Sequence, residues 1–473
     1  MKTEKKYSYL LKNFGILTLS SFGTRILSIL LVPIYTRYLS TGEYGTFDLF
    51  TTTITLLVPI LTLNIAESVL RFSLDDKYDP NEIWSVGCRY SIYACAIFCF
   101  IVLVNHIFFI MPVFSQFSLE LVFLFIGTFF YDLFSRFARG IDNVISTAVA
   151  GIINSIVLLV LNIFFLTQFN LGLKGFLWAY CLSYFIPIIY YCFSLKIWKY
   201  CRRRVRENIA KEMVEYSAPL VMDTVGWWVN NASDRYIITW ICGVTVNGIY
   251  SVSYKIPSIL NMINSIFGQA WTLSAVKEFK DDVTRDTFYS NIYKLYNCGM
   301  VTVCSLLIMF DKLIAKILFA KEFYNGWMYA PFLMISVVFS ALMVVMGGVY
   351  LAAKKSKELG IITVLGAVFN TVLNIILINL VGTIGAAIST MVTYIFVWII
   401  RIIRMKQIAK LLINLKRDFF AYFILVLQSV LLFFKINNYL LYGIELLLFW
   451  TIIFLYRNDI RHAIEKFFKR RII

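Results

Sequence analysis

Long apolar runs, broken only by short polar or basic links, fill this chain almost from end to end. Each run is about 20 residues long, the length a helix needs to cross the hydrocarbon core of a bilayer. The runs predict spans 1–6 at 13–36, 46–69, 86–112, 118–138, 142–167 and 174–197. Spans 7–12 are predicted at 216–241, 248–275, 292–319, 328–352, 358–380 and 383–403, and spans 13 and 14 at 418–436 and 438–457. The predicted fold class is therefore an all-α membrane protein of about fourteen transmembrane helices. The first run is too long for the apolar core of a signal peptide, so it is read as span 1 and not as a cleaved leader.

Composition agrees. The 473 residues are 60% hydrophobic and 15% charged, with mean hydropathy +0.76. Soluble domains are nearer 25% charged. A net charge of +17 would suggest nucleic acid in a soluble protein, but here the basic residues cluster in the links. Of the 44 Lys and Arg, most fall on one side of the fourteen-span map, among them Lys2, Lys5, Lys6, Arg202, Arg203, Arg204, Arg401 and Arg404. Only Arg37, Lys174, Lys312, Lys316, Lys321 and Lys435 fall on the other. Because Lys and Arg resist translocation, the pattern puts both termini in the cytoplasm and makes nucleic acid an unexpected partner.

A weak internal repeat joins the two halves. Span 1 runs into span 2 as TRYLSTGEYGTFDLF (Thr36–Phe50), and span 7 runs into span 8 as TWICGVTVNGIYSVSYKI (Thr239–Ile256). Each has a short turn, then a glycine (Gly45, Gly248) and an aromatic (Phe47, Tyr250). A repeat of six spans keeps its orientation, so the halves are related by an axis along the membrane normal, with a cavity expected between two lobes. The expected divisions are 1–210 (N-lobe, spans 1–6), 211–410 (C-lobe, spans 7–12) and 411–473 (spans 13–14 and a basic tail).

Enzyme signatures are missing. No GxxxxGK[ST] is present to cradle a nucleotide, and no GxGxxG. The nine cysteines form no CxxC, and His106 and His462 are far apart, so neither a metal nor another cofactor is expected. The external links are too short for the catalytic groups of a membrane glycosyltransferase or polymerase. Energy for transport would come from an ion gradient, the membrane potential or the substrate's own gradient.

The informative residues are ionisable groups inside spans, each costing at least about 2.5–3.5 kcal/mol in lipid. Arg25 lies mid-way along span 1, and Asp48 opens span 2. In span 7, Asp223, Trp227, Asn230 or Asn231, and Asp234 recur on one helical stripe. Arg235 lies beside that stripe, and Lys255 in span 8 is placed to pair with Asp234 or to meet an anion. These residues, Asn230 and Asn231 included, are the candidate lining of a substrate cavity. Asp132 with Arg136 and Glu67 with Arg71 are spaced i, i+4 and predict two intrahelical pairs. Arg71, Arg136 and Arg139 are also candidates for phosphate contacts at the cytoplasmic mouth. Cations in a low-dielectric site attract phosphate or pyrophosphate, and span 1 lacks the carboxylate that a cationic drug would want.

LVPIYTRYLSTGEYGTFDLF (Leu31–Phe50), PILTLNIAESVLRFSLDD (Pro59–Asp76) and GIYSVSYKI (Gly248–Ile256) resemble the Wzx-type polysaccharide flippases. These belong to the MOP superfamily, which also holds MATE drug exporters and the lipid II flippase. The resemblance covers the whole chain: two six-helix MATE-like lobes and an extra C-terminal pair. The segment joining spans 1 and 2 is specific to the polysaccharide branch. The resemblance implies a transporter of a bacterial cytoplasmic (inner) membrane. It would carry undecaprenyl-pyrophosphate-linked oligosaccharides between leaflets by alternating access, for O-antigen, capsule or related polymers. Arg25 matches the position of a span 1 cation in such flippases. The implied partners are the polyprenyl-pyrophosphate-linked oligosaccharide, membrane lipids and other polysaccharide assembly proteins. A lipid II flippase and a MATE-type drug or cation antiporter stand as alternatives.

Overall fold

A computed structural model describes residues 23–75, 77–200, 206–278, 285–353, 355–461 and 465; the side chains at 230, 231, 269, 270, 272, 273, 276–278 and 356 are outside it. Every regular element among the described residues is helical. Ten helices are both long and apolar enough to cross a membrane: spans 2–6, 9–12 and 14. The other four miss that mark for visible reasons. Much of span 1 is outside the described residues, span 13 (Leu415–Leu431) has 17 residues, and spans 7 and 8 carry polar groups along their length.

Several helices differ from the apolar runs that predicted them. Span 2 begins five residues earlier than expected, at Thr41, because Ser40 and Glu43 cap it reciprocally. The Ser40 hydroxyl accepts from the Glu43 N–H at 3.2 Å, and the Glu43 carboxylate accepts from the Ser40 N–H at 2.8 Å. It ends at Leu61, and a second helix, Ile65–Ser73, follows. Leu63 and Asn64 between them are left-handed, at φ 49° and 56°, so a single helix over 46–69 cannot form. Span 8 is likewise two helices, Val244–Ser253 and Pro257–Glu278. Pro257 has no N–H to give the preceding turn, and it opens the second helix, where none is needed. Span 3 starts at Pro80, capped by the Asp79 carboxylate accepting from the Asn81 N–H at 2.9 Å. Span 7 is the longest described helix, Glu207–Cys242.

The chain divides into two compact units, 1–232 and 233–473, with the boundary inside span 7. In the first unit, Ile65–Ser73 packs with spans 3, 4 and 6 around Trp84, Phe129, Leu133, Phe137 and Tyr191, all essentially buried. Close approach is steric: a Cβ on Gly140 would lie 2.5 Å from Ser73 Cβ. The early turns of span 7 join this unit through the Ser68 hydroxyl, which donates to the Met213 carbonyl. Asn64 Nδ2 donates to Thr224 Oγ1 at 3.1 Å, and Trp228 Nε1 to the Thr52 carbonyl at 2.9 Å.

In the second unit, span 10 (Ala330–Ala352) is the central helix. It carries no charged residue and is buried along nearly its whole length, as expected of a helix apolar on every side. Trp271 of span 8 donates from Nε1 to its Val345 carbonyl at 2.8 Å, where a side chain at Gly348 would collide with the indole. Outward, span 3 presents Ile97, Phe100, Leu103 and Ile107, an apolar surface suited to acyl chains and not to water.

Candidate functional site

In the first unit, Arg25 is exposed on the helical stretch 23–30 and is engaged in an interaction of its own. Asp48 is buried on span 2. One turn away, the stacked Tyr35 and Tyr44 rings are 4.9 Å apart, and the Phe47 ring meets Phe176 edge-on at 4.6 Å. Asp48 therefore does not open span 2, which begins at Thr41; it lies two turns in, buried and with an interaction of its own.

At the other end of span 2 the expected pairing is redistributed. Arg136 does pair with Asp132, Nε to Oδ2 at 2.8 Å. Glu67, however, meets Arg136 at 2.7 Å across two helices, and not Arg71 one turn along its own. Arg71 is exposed on the last turn of Ile65–Ser73. The physical reason is satisfaction of charge: one half-buried guanidinium has enough donors to hold two carboxylates. Arg139, one turn on, donates from Nε to the Ser135 carbonyl at 3.3 Å.

In the second unit the decisive carboxylate is Asp234, buried at 3% exposure. Its Oδ2 accepts from Tyr250 and Tyr254, each at 2.6 Å, and its Oδ1 from the Arg235 N–H at 2.9 Å. The Arg235 guanidinium lies 5.1 Å from the centre of the Tyr254 ring. Lys255, half-buried in the link between the two helices of span 8, makes no ion pair with Asp234. Two short hydroxyl donors already occupy the carboxylate, so of the two partners expected for Lys255, Asp234 or an anion, the first is taken by a tyrosine clamp. The span 7 stripe also divides by environment. Asp223 and Trp227 are exposed, Asp234 is buried, and the side chains of Asn230 and Asn231 lie outside the described residues.

Three buried polar clusters were not foreseen: two are built on amides, which carry no charge to mark them, and Arg401 and Glu445 are charges inside the runs predicted as spans 12 and 14 that were not singled out. Asn370, Asn374, Ser389 and Thr393 bond to one another between spans 11 and 12; Asn374 Nδ2 donates to Asn370 Oδ1 at 2.9 Å. Spacing of Asn370 and Asn374 at i, i+4 in an apolar run was the available signal. Arg401, counted with the cytoplasmic charges, is buried in span 12 (Ile384–Met405) and donates to the Met343 carbonyl at 3.1 Å. Glu445, Gln428 and Ser305 form a third cluster, with Gln428 Nε2 donating to Glu445 Oε2 at 2.9 Å and Ser305 to Gln428 Oε1 at 2.8 Å. Among the described residues no group of three His, Cys, Asp or Glu side chains could hold a metal ion.

Comparison with known families matches residues 10–272 to the family described as polysaccharide biosynthesis protein. The chain belongs to that family. The match runs from span 1 into the second helix of span 8 and so includes the Asp234 cluster. No curated protein matches the chain by sequence. Among solved structures, the chain shares its fold with a lipid II flippase and with MATE transporters. "Lipid II flippase MurJ, inward closed conformation" superposes with TM-score 0.69 at 14% identity, over 94% of this chain and 100% of that one. An inward-facing multidrug resistance MATE family transporter of the MOP superfamily gives TM-score 0.64 at 15% identity, over 81% and 95%. A MATE in complex with MaL6 gives 0.60 at 13%, over 84% and 96%. At these identities the likeness establishes the fold, and this family member is a multi-pass membrane protein of that fold.

Proposed function

We propose that the chain is a flippase for undecaprenyl-pyrophosphate-linked oligosaccharide repeat units, working by alternating access in a bacterial cytoplasmic membrane, with both termini cytoplasmic. The observation that carries this reading is Arg25, an exposed guanidinium on span 1 of a polysaccharide biosynthesis family member with a transporter fold. Exposure to lipid would cost at least about 2.5–3.5 kcal/mol. Exposure to a water-filled path offers a charge for the pyrophosphate of a passing headgroup. Lobes of 1–210 and 211–410 with the terminal pair 411–473 are the proposed working division, and Arg235 and Lys255 are proposed to serve the same anion from the second half. Arg71, Arg136 and Arg139 are proposed to meet phosphate at the cytoplasmic mouth. The chemistry asked of the protein is transport, with no covalent step.

The test is Arg25→Ala and Arg25→Lys in cells whose surface polysaccharide depends on this gene, scoring protein level and surface glycan together. Normal protein with glycan lost in Ala and partly kept in Lys supports the reading. Normal export by Arg25→Ala overturns the role of Arg25. The full-length superposition on a lipid II flippase favours a second reading with the same pyrophosphate chemistry. Rescue of a strain depleted of its own lipid II flippase would select it.

A further inference from the structure

A cavity of about 470 Å³ opens in the first unit, where span 3 ends, span 4 begins and span 6 begins. It falls in the range of small-ligand sites, roughly 300–1,000 Å³. Its walls carry opposite charges that do not meet. Glu120 is only 4% exposed, yet its carboxylate takes no hydrogen bond and no ion pair among the described residues. Lys174, on the first turn of span 6, is exposed and makes no ion pair with it. Glu120 sits in the first turn of span 4, where the helix N-terminus favours its charge, and its oxygens are not among the buried atoms sealed off without a partner, so the carboxylate is open to a donor entering the cavity. His106 lines the same cavity, and in the tautomer whose Nδ1 accepts from the Ser118 hydroxyl at 3.3 Å its Nε2–H is left to donate.

The remaining wall is apolar. Val102, Leu103 and Leu119 line it, and the outward surface continues along span 3 through Phe100 and Ile107, both more than half exposed. A soluble ligand has no use for such an approach, whereas an acyl chain does. Lys174 is among the few basic residues that the charge pattern places outside, so the cavity opens at the outer headgroup level.

We propose that this cavity binds the headgroup of a phospholipid bearing a primary ammonium, of the phosphatidylethanolamine type. Glu120 receives the ammonium, Lys174 and His106 Nε2 meet the phosphate, and the acyl chains lie along span 3. A quaternary ammonium has no N–H to donate to Glu120, and an anionic headgroup without an amine leaves that carboxylate unanswered. The site is separate from the residues proposed for transport.

The full-length protein, reconstituted in nanodiscs of phosphatidylcholine containing phosphatidylethanolamine or phosphatidylglycerol, is ejected into a native mass spectrum and its retained lipids are counted. Phosphatidylethanolamine is expected to be retained in preference to both. Glu120→Gln and Lys174→Gln are each expected to reduce that preference roughly tenfold, the effect of removing one charge-assisted hydrogen bond. Lys174 is exposed, so its variant folds even where Glu120→Gln does not. Equal retention of phosphatidylethanolamine and phosphatidylcholine by the unaltered protein overturns the proposal, as does full preference in Lys174→Gln. Displacement by soluble phosphoethanolamine at the affinity of the lipid itself overturns the lipid as the source.

Discussion

Arg136 reaches Glu67 at 2.7 Å from a neighbouring helix, while Arg71, one turn from Glu67 on its own helix, stays exposed. Loss of Glu67 therefore leaves the half-buried Arg136 guanidinium with Asp132 as its one remaining carboxylate partner. Glu67→Ala is expected to destabilise by about 1–3 kcal/mol, and Arg71→Ala by less than about 0.5 kcal/mol. Thermal unfolding of both variants in detergent checks the contrast, and a Glu67/Arg136 double-mutant cycle isolates the pair.

Asp234 holds two tyrosine hydroxyls at 2.6 Å each. Tyr250→Phe removes one donor from a fully buried position, and is expected to cost about 1–3 kcal/mol because the carboxylate loses a partner it cannot replace with water. Tyr254→Phe keeps the ring beside Arg235 and should behave similarly. Unfolding midpoints of the two single variants and the double variant measure how far the hydroxyls act together.

The spans were legible because lipid imposes one rule on every helix that crosses it. The departures come from what a run of apolar residues does not encode. Leu63 and Asn64 break span 2 through two left-handed residues, and no hydropathy window registers a backbone angle. The Glu67 to Arg136 contact joins residues 69 positions apart, so i, i+4 spacing pointed to the wrong partner for Glu67. Arg401, near the end of the run predicted over 383–403, counts with the cytoplasmic charges by sign alone, yet it faces the interior of its unit and is buried. Of the candidate cavity residues, Asp234 and Arg235 were placed side by side by the sequence. It gave no hint that Tyr250 and Tyr254 would take the carboxylate.

Gly385 follows the turn from span 11 into span 12, where a Cβ would overlap the Leu377 carbonyl. Backbone cannot swing aside as a side chain can, so Gly385→Ala is expected to cost about 1–3 kcal/mol. Gly443 in span 14 has open space around it, and Gly443→Ala should be neutral or stabilising by up to about 1 kcal/mol. Yield of monodisperse protein and its unfolding midpoint distinguish the two.

Gln428 bridges Ser305 and Glu445, accepting from one and donating to the other. Gln428→Leu leaves a fully buried carboxylate without its donor and is expected to destabilise by about 1–3 kcal/mol. Glu445→Gln keeps a carbonyl for the same bond and should be tolerated. Thermal unfolding of the two variants side by side decides it.

The terminal helix pair is bound into the second unit by more than apolar contact. Asn297 of span 9 accepts from Tyr422 at 2.9 Å and donates to Tyr456 at 3.1 Å, and Tyr456 donates to Asp418 at 3.1 Å. Stripping off these last two helices would bare Asn297 and Ser305 to hydrocarbon on a helix that otherwise passes as finished. The pair therefore works as a polar seal that lets span 9 keep an amide and a hydroxyl out of lipid.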